Sequence, residues 1–351
     1  SKFLLNKQLN PKFLILLTQI NRLLPINLRK ISRITTIHNS KAMALFLSSF
    51  LNLDQHLFSK HIDYTLQWLL SSKSRDYKQY TIGFSHDIVL RGYTSKRGQS
   101  SLIITLFALY AFIAYYINTN NKKILSYILS FNDLINRQLP KFETKKTLWY
   151  SYNFNKINEI YNATAKIGKY FALIYSITKE TILLNHIDKI LTYLLIKQRP
   201  DGSWAYGEKI SYTDGFHTAF VLEAMYEMLK YLPTKKYIQM YEHGLSHYKN
   251  HLFKKNGQPL YFHKSYPPKD IRRFLIETDI RDCAMAIILF SKTGQIYHAK
   301  KVLNWTFDNM YNKFTGHFYY YKNPLWTATI EYIRWQAWML YALSVLLKSN
   351  N

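Results

Sequence analysis

One short stretch of the chain combines several side chains that can move protons. Within residues 198–220, QRPDGSWAYGEKISYTDGFHTAF, Asp214 stands three positions before His217, and Tyr206 lies a little upstream. Residues three apart share one face of a helix, so the carboxylate and the imidazole can meet. Carboxylate, imidazole and phenol groups all serve as general acids or bases. We therefore take Asp214, His217 and Tyr206 as candidate catalytic residues.

The segment TDIRDC repeats this arrangement further along the chain. Asp279 stands three residues before Asp282, with Arg281 between them. Asp279 is a candidate second proton-handling carboxylate beside Asp214, and Arg334 is a candidate catalytic cation that clamps an anionic group. An aspartate at the start of a helix is also a favoured N-cap. The sequence leaves capping and chemistry open for both Asp214 and Asp279.

Aromatic and polar residues near these positions favour a carbohydrate as the ligand. Tyr and Trp rings stack on sugars, and amide, guanidinium or carboxylate groups hold their hydroxyl and acidic groups. Glycoside cleavage needs two carboxyl groups, whereas epimerisation or β-elimination of a uronate needs an acid, a base and a cation. The candidate substrate-binding residues are Trp149, Tyr152, Asn162, Trp204, Arg281, Asp282, Tyr320 and Gln336.

Aromatic turns recur along the chain and indicate an internal repeat. Trp149, Trp204, Tyr261 and Phe318 follow one another at intervals of 55 to 57 residues. Glycine closely precedes the last three, and glycine supplies the positive φ that tight turns need. Each turn opens a polar loop, and a helical segment follows the loop.

The helical segments after the turns are apolar on almost every side, which is typical of buried helices. They are IYNATAKIGKYFALIYSI, GFHTAFVLEAMYEMLKYL, DIRDCAMAIILFSKTG and YIRWQAWMLYALSVLL. The stretches between them are amphipathic. This alternation predicts an all-α fold, an (α/α) toroid of about five to six helical hairpins, with inner helices around a funnel. We expect one domain over residues 1–351, with residues 1–75 the least clearly patterned, and a short strand hairpin only at GHFYYYK, residues 316–322.

These motifs resemble those of known toroid families. QRPDGSWAYG is similar to the Gln-and-Trp turn of terpenoid cyclases and protein prenyltransferases, and TDGFHTAFVLEAM resembles their Asp…His-Thr helix start. A closer resemblance covers most of the chain from about residue 80, in the motifs FHTAFVLEAMYEML, DIRDCAMAI, VLNWTFDNM, GHFYYYK and IRWQAWMLYALSVLL. These look like an uncharacterised prenyltransferase-like toroid family encoded in bacterial capsule, exopolysaccharide and lipopolysaccharide loci. The resemblance implies a toroid that acts on a bacterial surface polysaccharide or its precursor.

The chain departs from the terpene-type enzymes where their chemistry resides. Those cyclases use DxDD or DDxxD, and neither occurs here. Protein prenyltransferases bind zinc through Asp, Cys and His; His217 matches the histidine, but Cys283 follows it in the chain, against the family's order. A polysaccharide-modifying epimerase, lyase or glycosidase is the favoured interpretation. A terpenoid or prenyl-group enzyme and a noncatalytic scaffold of a membrane-associated polysaccharide assembly system are the alternatives.

Composition limits the partners and the compartment. The net charge is +26, but the lysines are scattered in pairs, so compositional drift explains the charge as well as an acidic partner does. We expect an acidic or neutral polysaccharide or oligosaccharide, peripheral contact with an anionic membrane and no nucleic acid. The single cysteine, Cys283, fits a reducing compartment, and we expect a cytoplasmic protein without a signal peptide.

No cofactor is expected from the motifs. The chain has no P-loop, GxGxxG, HExxH or GxSxG pattern. In HGLSHYKNH the imidazoles of His243 and His247 stand one helical turn apart and could chelate a metal, but His251 would lie about 12 Å along the axis from the first. An outer helix face explains this segment better than a metal site does.

Overall fold

The computed structural model describes residues 36–90, 93–270, 272–328 and 332–350. In this part of the chain the helices are α1 (Ser40–Asn52), α2 (Ser59–Ser71), α3 (Leu102–Thr119), α4 (Lys122–Arg137), α5 (Tyr161–Thr178), α6 (Thr181–Lys197), α7 (Gly215–Leu229), α8 (Lys235–His251), α9 (Arg272–Leu275), α10 (Ile280–Lys292), α11 (Ile296–Met310) and α12 (Ile333–Asn350).

Six of these helices close an inner ring. Helices α1, α3, α5, α7, α10 and α12 contact one another in that order, and α12 returns to contact α1. Helices α2, α4, α6, α8 and α11 each pack against the inner helix that precedes them. Because each outer helix brings the chain back, the inner helices all point the same way and their N-termini converge at one end. We call this end the mouth. The predicted (α/α) toroid is confirmed.

Side chains at several helix starts explain where the helices begin. Asn39, Asn121, Asp214 and Asp279 each accept a hydrogen bond from a backbone amide of the first turn that follows, in α1, α4, α7 and α10. These bonds satisfy amide groups that have no partner within a helix. The sequence-based N-cap interpretation of Asp214 and Asp279 is therefore confirmed.

The inner helices are buried on nearly all sides, as their apolar sequences predict. Helix α3 is apolar enough, with a mean hydropathy of 1.8, and long enough to cross a membrane by length and composition, yet 61% of it is buried in the protein. Its neighbours are α1, α4 and α5. Its apolar surface is explained by its place in the inner ring.

Trp204 shows how an aromatic turn closes a hairpin. Its side chain is 2% exposed, and its indole Nε1 donates a hydrogen bond to the carbonyl of Leu194 at 2.9 Å. The ring packs on Gly244 of α8, where an added Cβ would lie 2.5 Å from an indole carbon. A side chain at position 244 would therefore displace the indole.

Short strands lie in the connections that lead to the inner helices. They are β1 (Ile88–Leu90), β2 (Tyr93–Ser95), β3 (Lys141–Glu143), β4 (Leu148–Tyr150), β5 (Thr278–Asp279), β6 (Tyr311–Asn312), β7 (His317–Phe318), β8 (Tyr321–Lys322) and β9 (Thr327–Ala328). The sheets are β1–β2, β3–β4, β6–β7 and β5–β8–β9, all antiparallel. The expectation that GHFYYYK forms a hairpin by itself is wrong, because its two strands join different sheets.

The N-terminal hairpins can be followed only from residue 36. Helices α1 and α2 form one hairpin of the ring, and α1 bridges α12 and α3. The part of the expected N-terminal structure within residues 1–35 lies outside the described residues.

Candidate functional site

A small cavity lies at the mouth, where the starts of α5 and α7 meet the aromatic turn before α7. Its lining consists of Asn162, Trp204, Ala205, Tyr206, Asp214, His217, Thr218 and Val221. Five of these are residues that we singled out from the sequence. The structure thus brings Asn162, Trp204, Tyr206, Asp214 and His217 to one place.

Asp214 and His217 form a hydrogen-bonded pair. His217 Nδ1 lies 2.8 Å from Asp214 Oδ1 and 2.7 Å from Oδ2, and Oδ1 also accepts the backbone amide of His217 at 2.7 Å. The carboxylate is almost buried and the imidazole is partly exposed. A carboxylate on Nδ1 holds the ring in the tautomer that carries its proton there, which leaves Nε2 as the proton acceptor. In this arrangement Asp214 orients the His217 ring, and Nε2 is the nitrogen that can accept a proton.

Tyr206 packs against this imidazole. The two ring centroids are 4.6 Å apart in an edge-to-face arrangement. Burial, followed by the neighbouring Tyr152 and Tyr212, raises the pKa of Tyr206 well above its ordinary value. Its hydroxyl therefore keeps its proton at neutral pH and can donate a hydrogen bond to an oxygen in the cavity.

Asn162 completes the polar edge of the cavity, whereas Tyr152 is not part of the lining. Asn162 is the second residue of α5 and is 4% exposed. Tyr152 is close enough to Tyr206 to raise its pKa. Trp204 contributes to the wall, but its indole is used in packing, so the structure provides no open ring there for a sugar to stack on.

Asp279 is occupied by other groups. Its Oδ1 and Oδ2 accept the Nε and NH2 groups of Arg281 at 2.9 and 2.6 Å, and Oδ1 also accepts the Arg281 backbone amide and lies 3.3 Å from the indole Nε1 of Trp335. Its carboxylate is 2% exposed. The structure therefore does not bring Asp279 to the cavity as a second proton-handling carboxylate, and it makes Arg281 a partner of Asp279 before any substrate binds.

Asp282 is completely buried. Neither of its carboxylate oxygens has a hydrogen-bond partner among the described residues. Burial and the nearby Asp279 and Asp214 raise the pKa of Asp282 well above its ordinary range. These surroundings favour the neutral, protonated form of the side chain. The expectation that Asp282 contacts substrate does not fit this position.

Three other candidates lie in packing roles rather than in the cavity. Trp149 stacks on Phe142 with centroids 4.3 Å apart. Tyr320 is fully buried and packs edge-to-face on Trp335. Gln336 exchanges two hydrogen bonds with the Phe318 backbone. Their expected substrate contacts are therefore not supported, because these side chains already face other protein groups.

Arg334 lies at the mouth on α12. Its guanidinium stacks on Trp335 at 4.2 Å from the ring centroid, and its charge contributes to lowering the pKa of Lys41. Arg334 thus provides a cation at the mouth, on the side of the ring where α12 contacts α1. It does not line the cavity beside His217.

Below the mouth, aromatic side chains from several inner helices meet across the ring. The ring centroids of Phe107, Phe220 and Trp338 are 5.3 to 6.0 Å apart, and Phe216 also contacts the last two. Lys166 points among them, with its Nζ 3.2 Å from the Phe220 centroid. Our sequence analysis missed this layer, because only the ring brings these helices together.

A network of buried charges lies beyond the aromatic layer. Glu223 Oε1 accepts from Lys169 at 2.6 Å and from Lys292 at 2.5 Å, and Lys292 also binds Glu227 at 2.9 Å. Burial has the largest single effect on Glu227 and raises its pKa, but Lys292, Lys169 and Lys230 together outweigh burial and lower the pKa to about 2. These charges are paired with one another, so the base of the funnel is closed by ion pairs.

The three histidines of α8 do not converge on a metal site. No group of three or more His, Cys, Asp or Glu within the described ranges could hold a metal ion. His247 Nδ1 donates to the carbonyl oxygen of Asp201 at 2.9 Å, and its ring stacks on His263. The interpretation of this segment as an outer helix is confirmed by its position in α8.

A second cleft lies beside the start of α3. It has a volume of about 590 Å³, including the part that is open to solvent. Its lining is mostly polar and consists of Thr94, Gln99, Ser100, Ser101, Leu102, Asn153, Phe154, Asn155 and Lys156.

Comparison with known proteins shows what the chain is similar to. No protein-family model and no curated protein matches it. Among solved structures, cellobiose 2-epimerase from Bacillus thermoamylovorans B4167 superimposes with a TM-score of 0.69 at 14% identity, over 90% of this chain and 89% of that one. A family 76 glycoside hydrolase from a bovine Bacteroides thetaiotaomicron strain gives 0.64 at 11% identity, over 88% and 68%. A family 88 glycosyl hydrolase from Bacteroides vulgatus gives 0.61 at 12% identity, over 95% and 98%. These likenesses show a shared toroid fold.

Proposed function

We propose that this protein is a carbohydrate-active enzyme that moves a proton on the carbon next to a sugar carbonyl, as in epimerisation or isomerisation. The observation that carries the proposal is the Asp214–His217 pair at the cavity. The pair orients one imidazole so that its Nε2 is available as a base, and Tyr206 places a protonated hydroxyl beside it.

These groups can perform each step of such a transfer. His217 Nε2 takes the proton from the carbon, and the C–H electron pair forms a C=C bond while the carbonyl electrons move onto its oxygen. A hydroxyl donor such as Tyr206 stabilises the negative oxygen. For the epimer, a water molecule delivers a proton to the other face of the carbon, the carbonyl re-forms, and the imidazolium releases its proton to solvent. For the isomer, the imidazolium returns its proton to the former carbonyl carbon, while the proton of the neighbouring hydroxyl passes to the former carbonyl oxygen. Asp214 stabilises the imidazolium that forms in between.

Glycoside hydrolysis fits the same cavity less well. That reaction needs two carboxyl groups across the scissile bond. Of the three aspartates at the starts of α7 and α10, Asp214 is bonded to His217, Asp279 is bonded to Arg281, and Asp282 is buried and does not line the cavity. The geometry therefore favours proton transfer at carbon.

The structural neighbours support a sugar as the substrate. One is described as a cellobiose 2-epimerase, another as a D-mannose isomerase, and others as glycoside hydrolases. The polar cleft beside α3 would accommodate further sugar units. The sequence resemblance to toroids of capsule and lipopolysaccharide loci supports a bacterial surface polysaccharide, or its precursor, as the source of that sugar.

We place the enzyme in the cytoplasm with peripheral contact to an anionic membrane, as its single cysteine and its net charge of +26 suggest. The prenyl-group alternative would need an acidic or metal-binding cluster at the base of the funnel. The base instead contains the pairs of Lys169 and Lys292 with Glu223 and Glu227.

The proposal is tested by solvent exchange. The protein is incubated in D2O with reducing mono- and disaccharides and uronic acids, and the products are analysed by NMR and mass spectrometry. We expect one deuterium on the carbon next to the carbonyl, lost in His217→Ala and kept in Lys235→Met, a substitution on the exposed face of α8. Cleavage of a glycoside without deuterium at carbon would contradict the proposal.

A further inference from the structure

One layer of the inner ring contains a lysine where its other members are apolar. The sixth residues of α1, α3, α5, α7, α10 and α12 are Leu45, Phe107, Lys166, Phe220, Met285 and Trp338. At 1.5 Å per residue, this layer lies about 7.5 Å below the helix starts. Lys166 is 3% exposed, and its Nζ lies 3.2 Å from the Phe220 centroid and 4.5 Å from the Phe107 centroid.

Lys41, the second residue of α1, approaches the same aromatic group. Its Nζ lies 4.7 Å from the Phe107 centroid, so both ammonium groups approach one ring. The ammonium groups of Lys41 and Lys166 make no hydrogen bond or ion pair with a described residue; Lys166 accepts the Tyr110 hydroxyl only at its backbone carbonyl. Deeper in the ring, by contrast, Lys169 and Lys292 bind Glu223 directly. The deeper lysines stabilise the base of the funnel, whereas the upper two have no carboxylate partner among the described residues.

The surroundings of the upper lysines disfavour their own charge. Burial, followed by Arg334 and Arg281, lowers the pKa of Lys41 well below its ordinary value. Burial and Lys169 lower the pKa of Lys166, and the charge of Glu223 only partly offsets this, while Lys41 and Lys292 lower it further. The positive ends of six helix dipoles also converge at the mouth. An added negative charge would therefore stabilise the charged forms of Lys41 and Lys166.

The upper lysines lie close to the residues that line the cavity. Asn162 lines the cavity and stands one helical turn before Lys166, so both share one face of α5. The His217 ring centroid is 6.1 Å from that of Phe220, on which the Lys166 ammonium lies. A ligand that contacts His217 therefore has Lys166 on its inner side, and Lys41 approaches the Phe107 ring that Lys166 also contacts.

We propose that Lys41 and Lys166 bind the anionic group, a carboxylate or a phosphate, of an acidic sugar whose carbonyl end faces His217. This inference rests on the proposed function and narrows its substrate class to acidic sugars. The bound anion supplies the partner that both lysines lack, and Phe107 and Phe220 exclude water around the contact.

Binding measurements test the assignment directly. Isothermal titration calorimetry compares glucuronate, glucose 6-phosphate, glucose and inorganic phosphate on the parent protein, Lys41→Met and Lys166→Met, with Lys235→Met as the matched surface control. We expect each funnel variant to weaken binding of glucuronate or glucose 6-phosphate at least about tenfold, since a bond to a charged group contributes about 1.5 kcal/mol or more. Binding of glucose should not change. If the variants weaken binding of glucuronate, the anionic group is a carboxylate; if they weaken binding of glucose 6-phosphate, it is a phosphate.

Two further readouts separate a binding role from a structural one. Anion binding should raise the pKa of both lysines, which burial lowers, and the resulting proton uptake should appear as an enthalpy that depends on the buffer. Lys166→Met, of similar volume, should raise the melting temperature, since it removes a buried amine that has no hydrogen-bond partner among the described residues; Lys166→Gln serves if the first variant misfolds.

The outcomes for the two proposals can be distinguished. Equal affinity for the acidic sugars in the parent protein and both lysine variants would overturn the lysine assignment, while deuterium exchange on neutral sugars would leave the enzyme proposal intact. Lysine-dependent binding of acidic sugars without deuterium exchange would support the anion site and contradict the proton-transfer reaction.

Discussion

The starts of α7 and α10 are two versions of one local design with different consequences. Each begins with an N-cap aspartate, Asp214 or Asp279, that accepts the backbone amide of a basic residue two or three positions on. At α7 the basic residue is His217, and its side chain lines the cavity. At α10 it is Arg281, whose guanidinium forms two bonds to the same carboxylate.

The difference lies in what the basic side chain can do with a proton. Imidazole gains and loses a proton near neutral pH, whereas guanidinium remains charged. The aspartate at α7 thus orients a base in the reaction that we propose, and the aspartate at α10 neutralises a permanent charge. Similar spacing in the sequence therefore gives an Asp–His pair that lines a cavity at one helix and a buried ion pair at its neighbour.

The same substitution at the two caps should separate activity from stability. Asp214→Asn keeps an oxygen to cap α7 but no longer stabilises the imidazolium. We expect exchange of the substrate proton to slow by about 10³-fold, with the free energy of unfolding changed by less than about 1 kcal/mol. Rates in D2O and urea unfolding curves measure the two quantities. An active variant with weakened folding would reverse the roles that we assign to the two helices.

Asp279→Asn should give the opposite result. It leaves the buried charge of Arg281 without its carboxylate, so we expect the free energy of unfolding to fall by about 3 to 5 kcal/mol. The exchange rate per folded molecule should remain within about tenfold of the parent. Urea unfolding combined with activity normalised to the folded fraction checks both. A large loss of exchange rate with an unchanged free energy of unfolding would indicate that Asp279 is a catalytic residue.

Tyr206→Phe should have a smaller effect at the α7 site. The ring that packs on His217 is retained and only the hydroxyl is lost, so the exchange rate should fall by about 10- to 100-fold with stability nearly unchanged. Steady-state kinetics will show whether the loss lies in kcat, as expected for a group that stabilises the negative oxygen. A loss confined to KM would indicate that the hydroxyl only binds substrate.

Asp282→Asn should make the free energy of unfolding less dependent on pH, because Asp282 in α10 is the titrating group that it removes. The folded state raises the pKa of Asp282, so it holds a proton that the unfolded chain releases above about pH 4. Stability contributed by this group is present below that pH and falls as pH rises toward the raised value, by at most about 1.4 kcal/mol per pH unit. Asn does not titrate. Urea unfolding between pH 4 and 7 should show a flatter profile for the variant; parallel profiles would contradict a buried neutral acid.

The sequence predicted the features of this fold that depend on local periodicity. Apolar inner helices, amphipathic outer helices and aromatic turns indicated the toroid, and the Asp-His spacing indicated the pair at α7. It failed where a side chain's neighbours come from another strand or helix. Trp149 and Tyr320 have suitable residue types for sugar stacking, but Phe142 and Trp335 cover them.

What the chain determined by itself is the set of helices, their caps and the pairing of residues three positions apart, because hydrogen bonds and side-chain spacing within one helix involve only nearby residues. The ring decided which of those residues meet. It placed Asn162 of α5 beside His217 of α7, and it brought Lys41 and Lys166 to one aromatic ring of α3. These contacts join residues far apart in sequence, and they form only when burial of the apolar helices closes the ring.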